Sequence, residues 1–218
     1  MKTPQIKQWT GEFGRSYTDR NTLAPDALNA LYLQNYGISR TAINARFLAG
    51  IPPHARILEV GCNMGNQLLL LQEMGFDNLH GVEIQTYAIE QARSRLKNAR
   101  VSEASAFEIP YPDAYFDLIF TSGVLIHIAP TDLPRALAEI IRCSRAYIWG
   151  LEYFASEPTE VQYRGHDQLL WKMDYLKLYL EQGADLELVR AEKLPYLQNS
   201  NVDCVFLLKK EHEKRAAR

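Results

Sequence analysis

The sequence predicts an α/β fold: a seven-stranded, mostly parallel sheet with helices on both faces and a helical lid at its N-terminal side. Three observations carry this. The apolar pair Ile57-Leu58 runs through Glu59-Val60-Gly61-Cys62-Asn63-Met64-Gly65 into Leu68-Leu69-Leu70-Leu71, which reads as buried strand, glycine turn and helix. Strand and helix signals then alternate as far as residue 150, the pattern of parallel strands joined by crossover helices. Finally, His80-Gly81-Val82-Glu83 ends on an acid 22 residues after Gly61, close to the ~20-residue spacing at which nucleotide-binding folds place a carboxylate for a ribose.

Residues 1–25 are rich in aromatic and polar groups, among them Trp9, Phe13, Tyr17, Arg20 and Asn21. Residues 26–50 read as two helices: Asp26 is a candidate cap for the first, Gly37 breaks it, and Ser39 starts the second. Pro52-Pro53 marks the entry to the core. Strand one is Arg56–Val60 and the first core helix Gly65–Met74. Strand two is His80–Glu83, followed by a helix over Tyr87–Lys97 with Ala88, Ala92 and Leu96 at four-residue spacing. A short third strand falls at Arg100–Ala104, a fourth, dense in β-formers, at Phe116–Thr121, a helix at Leu133–Arg142 and a fifth strand at Ala146–Gly150. The segment Leu151–Tyr163 is irregular. Gln168–Glu181 reads as a helix with Leu169, Met173, Leu176 and Leu180 on one stripe, and Leu186–Leu194 and Asp203–Lys209 as an antiparallel closing pair. Residues 209–218 lack an apolar face and read as a frayed helical tail. With no repeat or linker, the expectation is one domain: a cap over 1–50, a ligand-binding core over 51–150, and a substrate-side insertion with closing strands over 151–218.

Hydrophobic residues make up 47% of the 218 and charged residues 23%, an ordinary globular composition. The net charge of −2 offers nothing global to nucleic acid or an anionic membrane. No run approaches the ~18 apolar residues of a membrane span, and Met1-Lys2-Thr3-Pro4-Gln5 does not read as a secretory signal. Cys62, Cys143 and Cys204 have neither disulfide-framework nor zinc spacing, so the expectations are no metal and a cytoplasmic setting.

The turn is Gly-x-x-x-Gly, with Asn63 where a dinucleotide fingerprint has its middle glycine. That glycine admits a pyrophosphate, so its absence favours a ligand without one. Glu59, Glu83 and the later Ile109-Pro110-Tyr111-Pro112-Asp113 and Phe116-Asp117-Leu118-Ile119-Phe120 complete an ordered set. In these motifs, over roughly residues 55–150, the chain resembles the class I S-adenosylmethionine-dependent methyltransferases, which have a Rossmann-like sheet. Any one of these features alone reads better as a strand-end ion pair or an ordinary turn; their joint order carries the resemblance.

The resemblance implies roles. Gly61, Asn63 and Gly65 let the backbone pass the methionine part of the cofactor, and Glu59 orients that loop and reaches toward the amino group. Glu83, with Ile84 beside it, holds the ribose. Ser105-Ala106 lies against the adenine, where the Ala106 amide can serve. Ser122-Gly123 lines the site near the sulfonium, and Tyr17 or Arg20 meets the cofactor carboxylate. His127, in the loop after strand four, is either a general base or a hydrogen-bonded shaper of the pocket. Asn21, Tyr153, Tyr163, Arg164 and His166 are the candidate substrate contacts, Arg164 and Lys172 matching a carboxylate; Trp9 and Trp171 read as packing.

The flanks, Trp9 to Asn21 and Tyr163-Arg164-Gly165-His166 with Leu170 to Tyr175, are similar to the methyltransferases associated with pseudaminic acid biosynthesis. That implies a small, acidic, sugar-like acceptor methylated at O or N. Other readings stay open: a methyltransferase acting on tRNA or protein, and a cofactor-binding homologue without catalysis. A dehydrogenase is disfavoured by the missing glycine. Oligomeric state, monomer or homodimer, is open.

Overall fold

The computed structural model describes residues 3–211. Four helices come first: α1 (Pro4–Thr10), α2 (Glu12–Arg20), α3 (Pro25–Tyr36) and α4 (Arg40–Leu48). Then follow β1 (Ile57–Val60), α5 (Asn66–Glu73), β2 (Leu79–Glu83), α6 (Thr86–Arg95), β3 (Ala99–Glu103) and β4 (Phe116–Ser122). A single 3₁₀ turn, Leu125–His127, leads to α7 (Leu133–Cys143) and β5 (Ser144–Tyr153). The remaining elements are β6 (Thr159–Glu160), β7 (Trp171–Lys172), α8 (Tyr175–Gln182), β8 (Leu186–Pro195) and β9 (Val202–Lys210).

Seven strands form one sheet in the order β3-β2-β1-β4-β5-β9-β8. The first five pair in parallel; β9 runs antiparallel to both β5 and β8. This is the Rossmann-like architecture that the alternating pattern predicts. Both β1 and β2 are buried along their whole length, as strands covered on two faces must be. Leu58 and Val60 of β1 join Leu137 and Ile140 of α7 and Tyr175 and Tyr179 of α8 on one face. Ile57 joins Phe47 of α4, Leu68 and Leu71 of α5 and Ile89 of α6 on the other. The period-two alternation of one short strand therefore feeds two separate cores.

Several local expectations are corrected. The Gln168–Glu181 helix begins only at Tyr175, where the Asp174 side chain accepts the Lys177 N–H at 3.0 Å. Before it, Trp171–Lys172, read as helix, pairs with Thr159–Glu160 of the segment read as irregular to form an antiparallel ribbon. Leu169, Leu170, Trp171 and Met173 are all buried, so this apolar run packs as extended chain rather than as a helical stripe. The helix that does form buries Tyr175 and Tyr179 and leaves Leu180 37% exposed. Asp26 is not a cap: Ala24 holds that position, Pro25 opens α3, and Asp26 sits in the first turn. Residues 209 and 210 belong to β9, while the rest of the expected helical tail, 212–218, lies outside the described residues. Among the described residues, no helix is long and apolar enough to cross a membrane.

A close contact behind the site is at Gly81 of β2, where an added Cβ would lie 2.6 Å from Cys62 Sγ and 3.0 Å from Leu68 Cδ1. Gly81→Ala is therefore expected to lose about 1–3 kcal/mol of unfolding free energy by overpacking, measured by urea denaturation with an unchanged m-value.

Candidate functional site

The strand order reverses between β1 and β4, and there the carboxyl ends of the strands part to leave a crevice. Within it lies a cavity of about 380 Å³ that extends from the loop after β3 to the start of β9. Its size and mixed polar and aromatic lining are those of a small-molecule site.

The turn after β1 forms one end. Gly61, Asn63 and Gly65 have φ of 69°, 45° and 78°, so three alternate residues are left-handed. Asparagine is among the few side chains that tolerate this region, which is how the turn closes without a middle glycine. Glu83, at the end of β2, locks it. Its Oε2 accepts the Asn63 N–H at 2.8 Å, and its Oε1 accepts those of Ile84 at 2.7 Å and Gln85 at 2.9 Å. Burial pushes the Glu83 carboxyl above its ordinary value while the three amide bonds pull it back. Oε1 is filled, and Oε2 has room for one further donor.

Three more acceptors at this end are buried and have no partner: Glu59 Oε2, Asn63 Oδ1 and Gln67 Oε1. Burial raises the Glu59 carboxyl well above its usual range; the Arg40 guanidinium opposes the rise and Glu83 adds to it. Buried acceptors without donors are costly, so this end suits a ligand that brings N–H or O–H groups.

The first two helices roof the turn. Asn63 Nδ2 donates to Thr18 Oγ1 at 3.0 Å, and Asn66 Nδ2 to the Asn21 carbonyl at 2.6 Å. From below, Gln85 Nε2 donates to the carbonyls of Trp9 at 3.1 Å and Gly11 at 3.0 Å. Trp9 stacks edge-on to Tyr17 at 5.1 Å and against His127 at 4.5 Å, which brings the roof over the end of β4. The Tyr17 hydroxyl lies inside, and burial drives its pKa up.

At the end of β4, Ser122 Oγ accepts Arg40 Nη1 at 3.2 Å. Gly123 turns the chain with φ of 66° into the 3₁₀ turn that carries His127. The His127 Nδ1 lies 2.7 Å from the Leu169 carbonyl, an acceptor only, which assigns the ring proton to Nδ1 and leaves Nε2 bare. Burial lowers the imidazole to about 4, so it is neutral at pH 7. Behind it, Glu152 of β5 accepts the N–H groups of Val124 at 3.2 Å and Ile126 at 3.4 Å. Burial raises the Glu152 carboxyl to about 7.

The cavity brings together most of the residues singled out from the sequence. Glu59, Gly61, Asn63, Glu83 and Ile84 line the turn end, with Ser105 and Ala106 beside them; Tyr17 and Asn21 line it from the roof; Ser122, Gly123 and His127 line the middle; Tyr153 and Tyr163 face them. Four lie elsewhere. Gly65 sits just behind the lining and starts α5. Arg20 is exposed at the outer end of α2. Arg164, with φ of 52°, and His166 are exposed on the tight turn of the Tyr163–His166 bridge, because a left-handed corner projects its side chain outward. Lys172 is also absent from the lining and donates to Asn201 Oδ1. Trp9, read from the sequence as packing, lines the cavity, whereas Trp171 packs in the core.

The sequence reading missed the far end. Asp203, Tyr36 and Tyr196 line the cavity there beside Tyr153. Glu152 and Asp203 carried a usable signal, since each is an acid at the end of an apolar strand run on the same side of the sheet as Glu59 and Glu83. Tyr36 and Tyr196 carried none, because only the pairing of β5, β8 and β9 places them.

Residues 57–146 match the family model described as a methyltransferase domain. Over 96 residues the chain is 29% identical to 27-O-demethylrifamycin SV methyltransferase of Amycolatopsis mediterranei, covering 40% of this chain and 35% of that one. The chain spans 34% to 39% of the length of the curated relatives it matches. Among solved structures, 1,6-didemethyltoxoflavin-N1-methyltransferase of Burkholderia thailandensis, with bound 1,6-didemethyltoxoflavin and S-adenosylhomocysteine, is similar at a TM-score of 0.72. The match covers 97% of this chain and 92% of that one at 16% identity. The [4+2]-cyclase SpnF is similar at a TM-score of 0.62 over 78% of this chain and 79% of that one, again at 16% identity. At such identities the likeness shows the fold.

Glu152 sets a pH dependence of folding. Its carboxyl is raised in the folded state, so the native protein holds a proton that the unfolded chain has already released between the ordinary carboxylate range and about pH 7. Stability is then fully present below that window and falls as pH rises through it, by roughly 3 kcal/mol for this group alone. Glu152→Gln should flatten this slope in denaturant titrations from pH 4.5 to 8; an unaltered slope would refute the assignment.

Proposed function

We propose that the chain is an S-adenosylmethionine-dependent methyltransferase acting at an O or N atom of a small polar acceptor, and that it works as one unit over its length. The observation that carries this is the set of unpaired buried acceptors, Glu59 Oε2, Asn63 Oδ1 and Gln67 Oε1, around the Glu83-locked turn. The cofactor's ammonium and ribose hydroxyls are the donors such a set requires, so the residues present fit it. The match of residues 57–146 to the methyltransferase-domain model supports the same reading.

S-adenosylmethionine, held by Glu59, Asn63, Gln67 and Glu83, would supply an electrophilic methyl group whose transfer would leave its bonding pair on sulfur and require the acceptor to lose a proton. Ser122, Gly123 and the His127 ring face the middle of the cavity, between the turn end and the tyrosine end. His127 Nε2 is the bare nitrogen there and takes the acceptor's proton or its hydrogen bond. The α1–α2 roof excludes water and confines the acceptor, which supports a small molecule over a macromolecule. A net charge of −2 gives nucleic acid or membrane no electrostatic footing as a partner.

The finer reading, an acidic sugar of the nonulosonic or pseudaminic acid pathway, rests on the resemblance of the two flanks. The tyrosines around Tyr153 suit a hydroxylated ring, but the exposed Arg164 and His166 are not placed to take its carboxylate.

Two measurements test the main reading. Calorimetric titration with S-adenosylhomocysteine should show saturable binding that Glu83→Ala weakens at least ~10-fold, about 1.4 kcal/mol; no binding by the wild-type protein would overturn the proposal. In a screen for S-adenosylhomocysteine release with nonulosonic acids and their nucleotide-activated forms, His127→Ala should lower kcat on any accepted substrate by about 10²-fold. Full activity of that variant would remove the proton-accepting role.

A further inference from the structure

The end of the cavity farthest from the glycine turn is built around a buried carboxylate. Asp203, the second residue of β9, pairs with Tyr153 of β5 across the antiparallel ladder and faces the cavity from there. It is only 1% exposed. The Tyr36 hydroxyl donates to Asp203 Oδ2 at 2.6 Å, while Oδ1 has no hydrogen-bond partner. Tyr36, Tyr196 and Tyr153 surround it, with Tyr36 and Tyr196 rings 4.7 Å apart.

Among the described residues, no lysine or arginine lines the cavity. Arg40 lies outside the lining; its Nη1 donates to Tyr32 at 2.7 Å and to Ser122 and its Nε to Asn44 at 2.9 Å, while its buried Nη2 has no partner. Lys172, also outside the lining, donates to Asn201. Burial raises the Asp203 carboxyl to about 6; the Tyr36 hydrogen bond, the Arg40 charge, the polar contact of Tyr196 and the Lys172 charge oppose that rise. The result is an unpaired carboxylate oxygen in an aromatic box, three strand spacings from the turn: β1 and β9 are separated by β4 and β5.

We propose that this end is the acceptor subsite and that Asp203 Oδ1 binds a hydroxyl or amine hydrogen of the acceptor molecule, in preference to a carboxylate. The proposal rests on the methyl-transfer reading of the cavity and narrows its substrate class to a ring-bearing alcohol or amine. The physical reason is twofold. An unpaired buried carboxylate oxygen gains a charge-assisted hydrogen bond from a donor. A second carboxylate brought against it, with no guanidinium or ammonium among the described lining residues, meets like-charge repulsion in a low-dielectric box.

The test uses three matched probes, benzyl alcohol, benzylamine and benzoate, titrated by ligand-observed NMR into the wild-type protein with and without saturating S-adenosylhomocysteine. The alcohol or the amine should bind about tenfold more tightly than benzoate, the size expected of one hydrogen bond to a charged group; which of the two leads identifies the donor. Asp203→Asn should erase that preference while binding S-adenosylhomocysteine as the wild type does, and Tyr36→Phe should weaken it. Benzoate binding as well as the other two, or none of the three binding, would overturn the proposal. Loss of S-adenosylhomocysteine binding by the wild type would instead overturn the methyl-transfer reading, which the cofactor-free titrations keep separate.

Discussion

The carboxylate of Glu83 accepts three backbone N–H groups, and the shape of the crevice follows from those bonds. One comes from Asn63 in the turn after β1; two come from Ile84 and Gln85 at the start of the next crossover. A single side chain thereby fixes the distance between two strand ends and supports a turn with three left-handed residues. Gln85, held by that carboxylate through its N–H, extends its amide to the carbonyls of Trp9 and Gly11 and fastens the roof. The chain of dependence runs from a strand-end acid, to a turn, to a lid, to an enclosed cavity. Each bond is worth more inside the protein than at its surface because the groups are desolvated, and each would leave an orphaned buried group if broken.

The cavity collects acids. Glu59, Glu83 and Asp203 line it, and Glu152 stands behind its middle. Burial raises both Glu59 and Asp203, and the buried Arg40 guanidinium opposes that rise at each, which couples the two ends electrostatically. Its guanidinium is packed over the rings of Tyr32 at 5.2 Å and Trp149 at 4.9 Å. One guanidinium against several carboxylates leaves the interior biased toward cations and hydrogen-bond donors. That bias suits an ammonium and a sulfonium at the turn end, and an alcohol or amine at the tyrosine end.

The fold and the turn end were legible in the sequence because both depend on local patterns. Buried strands read as apolar runs, crossover helices as four-residue spacing, and the turn as glycines around a residue that tolerates positive φ. The far end was hidden because it depends on pairing between segments distant in sequence. Asp203 meets Tyr153 only through the β5–β9 register, and Tyr36 meets Asp203 across 167 positions. The cationic flank misled for a related reason. Arg164 and His166 are close in sequence to Tyr163, yet the left-handed corner at residues 164 and 165 sends them to solvent while Tyr163 turns inward. The run Leu169–Met173 misled through periodicity alone, since consecutive buried apolar residues fit an extended ribbon as well as a helix stripe.

The fold does not settle the chemistry, since a cyclase and an N-methyltransferase both share it with this chain. What separates such activities is the geometry between donor and acceptor. In this cavity the bare Nε2 of His127 lies in the lining with an end rich in unpaired acceptors and a far end that offers the Asp203 carboxylate oxygen. A ligand whose donors satisfy Glu59, Asn63 and Gln67 is held at one side, and an alcohol or amine anchored by Asp203 approaches from the other. Two molecules oriented from opposite ends across one neutral imidazole is an arrangement for group transfer, in which positioning supplies most of the rate. A single-substrate cyclisation needs no such division of the cavity into an acceptor-rich turn and a separate carboxylate-anchored end, and that division is the strongest structural argument for transfer.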